Sequence, residues 1–329
     1  MTDEKRMGRA IELAASVRAT TSPNPWVGAV LVTAGGPTFE GATAPPGGPH
    51  AEIVALDAAR TAGFDTAGAT LYSTLEPCCH TGRTGPCTQA ITDAGVTRVV
   101  IGIEDPDPAV AGKGVAELLA AGIDDVKVGV AAAQVTSQLA PYIKHRTTGR
   151  PWVVLKLAAT LDGRTAAPDG SSQWITGPEA RADAHRLRAE SDAVIVGAAT
   201  VRADDPALTV RLAEGPDPLR VVLGHVPVDA KIHPAVEMEG PLPDVLDELG
   251  HQDIVQVLVE GGATVAGAFH REGLVDHYVL YLAPAFAGGD DARPLFAGTG
   301  APTIADLWRG RIVSVERLGA DLKVDVEPA

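Results

Sequence analysis

Apolar side chains recur at helical spacing through residues 4–19, where Met7, Ile11, Leu13, Ala14 and Val17 line one side of an amphipathic opening helix. Thr21-Ser22-Pro23-Asn24-Pro25 breaks that period, and the apolar run Val27-Gly28-Ala29-Val30-Leu31-Val32 has the length and composition of a strand. A Gly-rich connection through Gly47-Gly48-Pro49 then leads to His50, from which Ile53, Val54, Leu56 and Ala59 continue as a helix ending near Gly63. His50 and Glu52 fall in its first turn. The pattern goes on to predict strands at 69–73, 97–103 and 126–130, and helices at 87–95, 114–121 and 131–145. Such alternation argues for a helix-covered α/β sheet.

Polar Lys144-His145-Arg146-Thr147-Thr148-Gly149-Arg150-Pro151 interrupts the alternation and is the best candidate for a boundary. This divides the chain into a domain of residues 1–145, a linker at 146–151 and a second domain of 152–329. The second half opens on a β run at 152–157, followed by a helix at 178–190 and a strand at 192–196. Further strands are expected at 219–223, 254–259, 275–284, 311–316 and 322–326. Residues 224–250 are Pro-rich and carry no clear assignment.

A length of 329 residues agrees with two domains. No apolar run reaches the roughly 18 residues needed to span a bilayer, and no apolar signal core follows the polar start, so a cytoplasmic protein is expected. The net charge of −15 disfavours non-specific binding to nucleic acid or to anionic membrane. All three cysteines lie between positions 78 and 87, which is no disulfide framework and fits metal ligation in a reducing compartment.

That cluster carries the first candidate chemistry. His50-Ala51-Glu52 and the later Glu76-Pro77-Cys78-Cys79-His80-Thr81-Gly82-Arg83-Thr84-Gly85-Pro86-Cys87 offer one imidazole and two thiolates, a donor set suited to Zn²⁺ with one position left open. Zinc held this way lowers the pKa of a bound water to about 7, and a Glu that is not a ligand can shuttle protons. Glu52 has that place. A closed structural site, with Cys79 or His80 as fourth ligand, is the bland alternative. In the second half, Lys156 inside an apolar strand needs a partner or a role, because burying an unpaired ammonium is costly. Glu260-Gly261-Gly262-Ala263-Thr264 follows a strand and opens a helix, which suits a cofactor diphosphate, yet it lacks the G-x-G-x-x-G pattern of a Rossmann domain.

His-x-Glu followed by Pro-Cys and a second Cys at a helix start resembles the zinc deaminases. The eight residues between Cys78 and Cys87, with His80, Gly82, Arg83 and Thr84 among them, and Thr21-x-Pro23-Asn24-Pro25-x-Val27-Gly28 upstream, resemble the bifunctional deaminase/reductase family of riboflavin biosynthesis. The second half is similar to the reductase part of that family at Lys156–Arg164, Ser171–Thr176, Ala203–Arg211 and Val259–Ala263. The resemblance implies a cytidine-deaminase-like three-layer α/β/α domain followed by a dihydrofolate-reductase-like α/β domain. It also implies zinc and NADPH as cofactors and a phosphorylated pyrimidine as substrate.

Asn24, His80 and Arg83 are then expected to position the substrate of the first reaction, and Arg83 to meet its phosphate. For the second, the resemblance implies substrate contacts at Ser172, Arg188, Leu208, Arg211 and Glu260, with Arg188 and Arg211 as the pair for the phosphate. Cofactor contacts are implied at Ala158, Trp174, Thr200, Asp204, Gly261 and Gly262, and Lys156 and Asp204 are candidates for proton handling. Two places depart from the family pattern: Thr43 and Val54 stand where many members carry histidines, and Thr84 and Cys79 replace commoner residues in the Cys loop. Competing readings are an active deaminase with a degenerate reductase half, a base or nucleoside deaminase, and a non-catalytic zinc-stabilised binding module. A homodimer or higher homo-oligomer is expected.

Overall fold

The computed structural model describes residues 1–79, 85–108 and 110–329. The chain forms two compact units, Met1–Gly149 and Arg150–Ala329. No helix among the described residues is long and apolar enough to cross a membrane.

In the first unit the order is α1 (Asp3–Ser16), α2 (Arg18–Thr21), β1 (Gly28–Val32), β2 (Thr38–Ala42), α3 (Ala51–Thr61), β3 (Thr70–Leu75), α4 (Cys87–Asp93), β4 (Arg98–Ile103), α5 (Lys113–Ala120), β5 (Asp125–Val128), α6 (Ala132–Gln138) and α7 (Ala140–Thr148). The sheet runs β2-β1-β3-β4-β5, with β1 antiparallel to both neighbours and β3, β4 and β5 parallel. Successive side chains of a strand point to opposite faces. Accordingly, Ala29 and Leu31 join a cluster with Ala55, Leu56 and Ile91 of α3 and α4, whereas Val30 and Val32 pack with Met7 and Ala10 of α1. A sheet covered on both faces is the three-layer arrangement.

Four local differences from the sequence reading have simple causes. The opening helix stops at Ser16, where Val17 leaves helical geometry at ψ 4°. The helix expected at 131–145 is two helices separated by Leu139, and Pro141 starts the second, the first-turn position where proline loses no hydrogen bond. That second helix carries Arg146–Thr148 and is closed by Gly149 at φ +74°, so half of the supposed linker is helix. The edge strand β2, read before as connection, forms because Thr38–Ala42 pairs along all of β1.

The second unit comprises β6 (Trp152–Thr160), β7 (Arg164–Ala166), α8 (Pro178–Ala189), β8 (Ala193–Gly197), α9 (Ala198–Asp204), β9 (Leu219–Leu223), β10 (Val236–Met238), α10 (Leu242–His251), β11 (Gln256–Val259), α11 (Ala263–Arg271), β12 (His277–Ala283), β13 (Arg293–Pro294), β14 (Gly310–Leu318) and β15 (Asp321–Pro328). Its main sheet is ordered β10-β9-β8-β11-β6-β12-β15-β14. Strands β10 to β12 are parallel, and β15 and β14 close one side as an antiparallel hairpin. Ala193 and Ile195 face α10 and α11, while Val194 and Val196 face α8 and α9. The unassigned residues 224–250 hold β10 and most of α10, whose Leu242, Val245, Leu246 and Leu249 are buried.

Candidate active sites

In open α/β sheets, ligands bind outside the carboxyl ends of the parallel strands. Both units place their chemistry there. In the first, Cys78 follows the end of β3, Asp105 follows the end of β4, and His50 caps the start of α3. His50 Nδ1 lies 3.5 Å from Cys78 Sγ and 3.3 Å from Cys87 Sγ. All three ligand atoms fall within 4.8 Å of one another, and they are the metal-capable cluster found among the described residues. One nitrogen and two sulfurs at this spacing fit Zn²⁺ with an open position, and neither Cys79 nor another described side chain closes it.

Glu52 is 3% exposed, and its Oε2 lies 3.7 Å from Cys87 Sγ. Burial raises its carboxyl above the usual range, against the pull of His50. The Cys87 N–H donates to Cys78 Sγ at 3.4 Å. A hydrogen bond from the Cys87 thiol, helped by His50, draws the Cys78 thiol down to about 4, and the same bond together with burial pushes Cys87 up. Metal ligands must be deprotonated, so a bound divalent cation would hold both sulfurs as thiolates. The bond to Cys78 raises His50 in turn.

His50, Glu52 and Cys78 face a cavity of about 550 Å³ that Asn24, Thr43, Asp105, Tyr142 and Arg146 also line. Its wall is braced by Glu76, which accepts the N–H groups of Asp105, Gly112 and Val115 at 3.0 Å each. Gly114 allows this close approach, since a Cβ there would sit 2.1 Å from the Pro77 carbonyl oxygen. The expected contacts His80 and Arg83 lie outside the described residues. Glu76, Asp105, Tyr142 and Arg146 were not singled out from sequence. Carboxylates and aromatics of this kind carry no spacing signal until the strand order brings them together.

In the second unit, Lys156 of β6, Arg188 of α8 and Glu260 after β11 meet. Arg188 Nη2 donates to Glu260 Oε2 at 2.9 Å while its Nε takes Oε1, and Lys156 Nζ stands 3.5 Å from Oε2. Burial raises the Glu260 carboxyl, but Arg188 and then Lys156 outweigh it and hold the group at about 2. Arg188 Nη1 donates to the Thr209 carbonyl at 3.3 Å, and Arg211 Nη1 to Thr209 Oγ1 at 2.6 Å. The two arginines thus converge on one residue, yet Arg188 spends its fork on Glu260 rather than presenting it to a phosphate. Asp204 is exposed at the end of α9.

Leu208 is buried in a left-handed conformation at φ +50°, rare for a branched side chain and a mark of a constrained segment. Thr200 of α9 accepts the Gly262 N–H at 3.2 Å, so the predicted cofactor residues on β8–α9 and β11–α11 do touch. The start of α11 has no side-chain cap. A Cβ on Gly262 would press on Thr200 Oγ1 at 3.1 Å, and the open helix end fits a diphosphate. Ala158 lies on β6, Ser172 is half-buried, and Trp174 is 69% exposed with the Arg181 guanidinium 4.7 Å from its ring.

Comparison with known proteins extends these findings. The family model for the cytidine and deoxycytidylate deaminase zinc-binding region matches residues 1–103, and that for the RibD C-terminal domain matches residues 151–324. The riboflavin biosynthesis protein RibD of Escherichia coli (strain K12) is 40% identical over 365 residues, spanning 98% of this chain and 98% of that protein. Its counterpart in Mycobacterium tuberculosis (strain CDC 1551 / Oshkosh) is 44% identical over 335 residues, 97% and 95% of the two chains. Among solved structures, Acinetobacter baumannii RibD superposes with a TM-score of 0.91 at 39% identity, over 99% of both chains. The diaminohydroxyphosphoribosylaminopyrimidine deaminase/5-amino-6-(5-phosphoribosylamino)uracil reductase of Thermotoga maritima gives 0.88 at 36% identity, also over 99% of both. A zinc-ligand triad in one unit, an open helix end in the other and this end-to-end likeness lead to one conclusion: the chain belongs to the RibD family, the bifunctional zinc-dependent deaminases and NADPH-dependent reductases of riboflavin biosynthesis.

Proposed function

We propose that residues 1–149 hydrolytically deaminate 2,5-diamino-6-(5-phosphoribosylamino)pyrimidin-4(3H)-one. Residues 150–329 then reduce the ribosyl side chain of the product, 5-amino-6-(5-phosphoribosylamino)uracil, to ribityl with NADPH. The observation that carries the first step is the convergence of His50, Cys78 and Cys87 within 4.8 Å beside the buried carboxylate of Glu52. Zinc in that triad supplies a water activated for attack at neutral pH. Glu52 takes one proton from the attacking water and hands it to the ring nitrogen, then takes the second from the hydroxyl of the tetrahedral adduct and gives it to the amine, which leaves as ammonia while the C=O forms. One carboxylate serves because the transfers are sequential. Asn24 faces the same cavity and orients the ring, and Arg83 and His80 are assigned to the substrate by resemblance.

For the second step, Thr200, Gly261, Gly262 and the start of α11 hold the cofactor diphosphate, and Ala158, Trp174 and Asp204 contact the remainder. Lys156 delivers the proton that accompanies reduction, with Glu260 fixing its ammonium. Ser172, Leu208 and Arg211 line the substrate side, and Arg188 acts there through Glu260. We further propose a homodimer in the cytoplasm. Edge strand β14 exposes Ile312, Val313 and Val315, at 62%, 42% and 57%, which a second copy would cover, and the described cysteines are all unpaired.

Purified zinc-loaded protein given the diaminopyrimidinone phosphate should release one ammonia per substrate and then oxidise one NADPH. Ammonia without NADPH oxidation would remove the reductase half of the proposal, and neither product would remove both.

A further inference from the structure

The polar segment that ends the first unit does more than connect. Arg146 lies on α7, one turn before the closing Gly149, and lines the same cavity as His50, Glu52 and Cys78. It is the one guanidinium or ammonium among the described residues of that lining. Its head group stands 5.3 Å from the Tyr142 ring centroid, and the Tyr142 hydroxyl lies 3.3 Å from Asp105 Oδ1. Asp105 Oδ1 also accepts the Asp107 N–H at 2.9 Å, so this carboxylate is engaged on the wall. Glu76 is likewise saturated by three backbone donors. The guanidinium is held against an aromatic face, and its buried Nε has no hydrogen-bond partner among the described residues. Buried donors of this kind are rarely left unmet in native proteins, and a planar guanidinium is built to receive an oxyanion.

We infer that Arg146 is an anion-binding residue of the deaminase cavity, in addition to the Arg83 that resemblance assigns to the substrate, taking the phosphate of a phosphorylated aminopyrimidine whose ring reaches the His50–Cys78–Cys87 triad. The inference rests on the deaminase reading above. One cavity holds ring chemistry beside α3 and a stacked cation on α7, which matches a ligand with an exocyclic amine at one end and a phosphate monoester at the other. Asp105 and Tyr142 act as positioning residues that keep the cation over the cavity.

The test compares ammonia release from the diaminopyrimidinone phosphate with release from the same compound after phosphatase treatment. Wild-type protein must first turn over the phosphorylated form, and its failure there would count against the deaminase reading, not against Arg146. In Arg146→Met, the ratio of kcat/KM for phosphorylated over dephosphorylated substrate should fall about 10- to 100-fold, mostly through KM. Arg146→Lys, which keeps the charge but not the fork, should fall between. Arg146→Gln gives the same readout if the methionine variant loses its zinc. Inorganic phosphate should inhibit wild-type turnover of the dephosphorylated form and lose that effect in Arg146→Met. A ratio that stays at the wild-type value, or equal losses on both substrates, would overturn the inference.

Discussion

The two sites solve opposite electrostatic problems. In the first unit, one imidazole and two thiols converge as a donor set that a bound cation would complete. In the second, the Arg188 and Lys156 cations flank the single carboxylate of Glu260 inside the fold, with side chains 11%, 18% and 7% exposed. The first site is therefore finished by what it binds, and the second is finished by folding. Loss of one member should cost function in the first case and both stability and function in the second.

The largest effect is expected from removing a zinc ligand. Cys87→Ser should abolish tight zinc binding and ammonia release together, measured as metal per chain and turnover, because three protein ligands are the fewest that hold a catalytic zinc. If the variant keeps full zinc and activity, the triad is not the metal site. Next in size, Arg188→Ala leaves Glu260 buried with Lys156 alone and should destabilise the second unit by about 3–5 kcal/mol in denaturant unfolding. A loss below about 1 kcal/mol would mean that the carboxylate is solvated and the cluster weaker than its geometry.

Acid titration sharpens the same contrast. The Glu260 carboxyl is held at about 2 in the fold against 4.5 when free. A depressed carboxyl contributes stability that is present above its unfolded pKa and fades as pH falls through the folded one. The second unit should therefore lose stability between about pH 4.5 and 2, and Glu260→Gln should flatten that slope while lowering stability at pH 7. An unchanged slope would remove Glu260 from the account. The smallest effect belongs to Arg150→Ala. Arg150 also grips a carboxylate with two donors, Asp247, but the partners are 37% and 43% exposed. Its melting point should scarcely move, since solvent screens such a pair. Comparing it with Arg188→Ala separates burial from bond geometry.

How far each site could be read from sequence follows the same division. His50, Glu52, Cys78 and Cys87 were legible because residue type and short spacing carry the chemistry, and the helix starts at His50 and Cys87 could be placed from local pattern. The Arg188–Glu260 pairing was not, as 72 positions separate the two and only the order β8-β11-β6 makes them neighbours. Lys156 announced itself as a charge needing a partner, but not which one. Arg146 was read as linker because a polar run before Gly149 looks like a boundary, and nothing local says that α7 continues through it. Helix α10 was hidden by Pro241 and Pro243, although Leu242, Val245, Leu246 and Leu249 keep helical spacing. Those prolines sit at the helix start, where they do no harm.

The central claim is that a buried carboxylate beside a zinc triad performs the deamination. Glu52→Gln keeps the size and the metal ligands and removes only proton transfer. The variant should bind zinc as the wild type does and release ammonia about 10²- to 10⁴-fold more slowly. Near wild-type ammonia release from zinc-loaded Glu52→Gln would contradict the account.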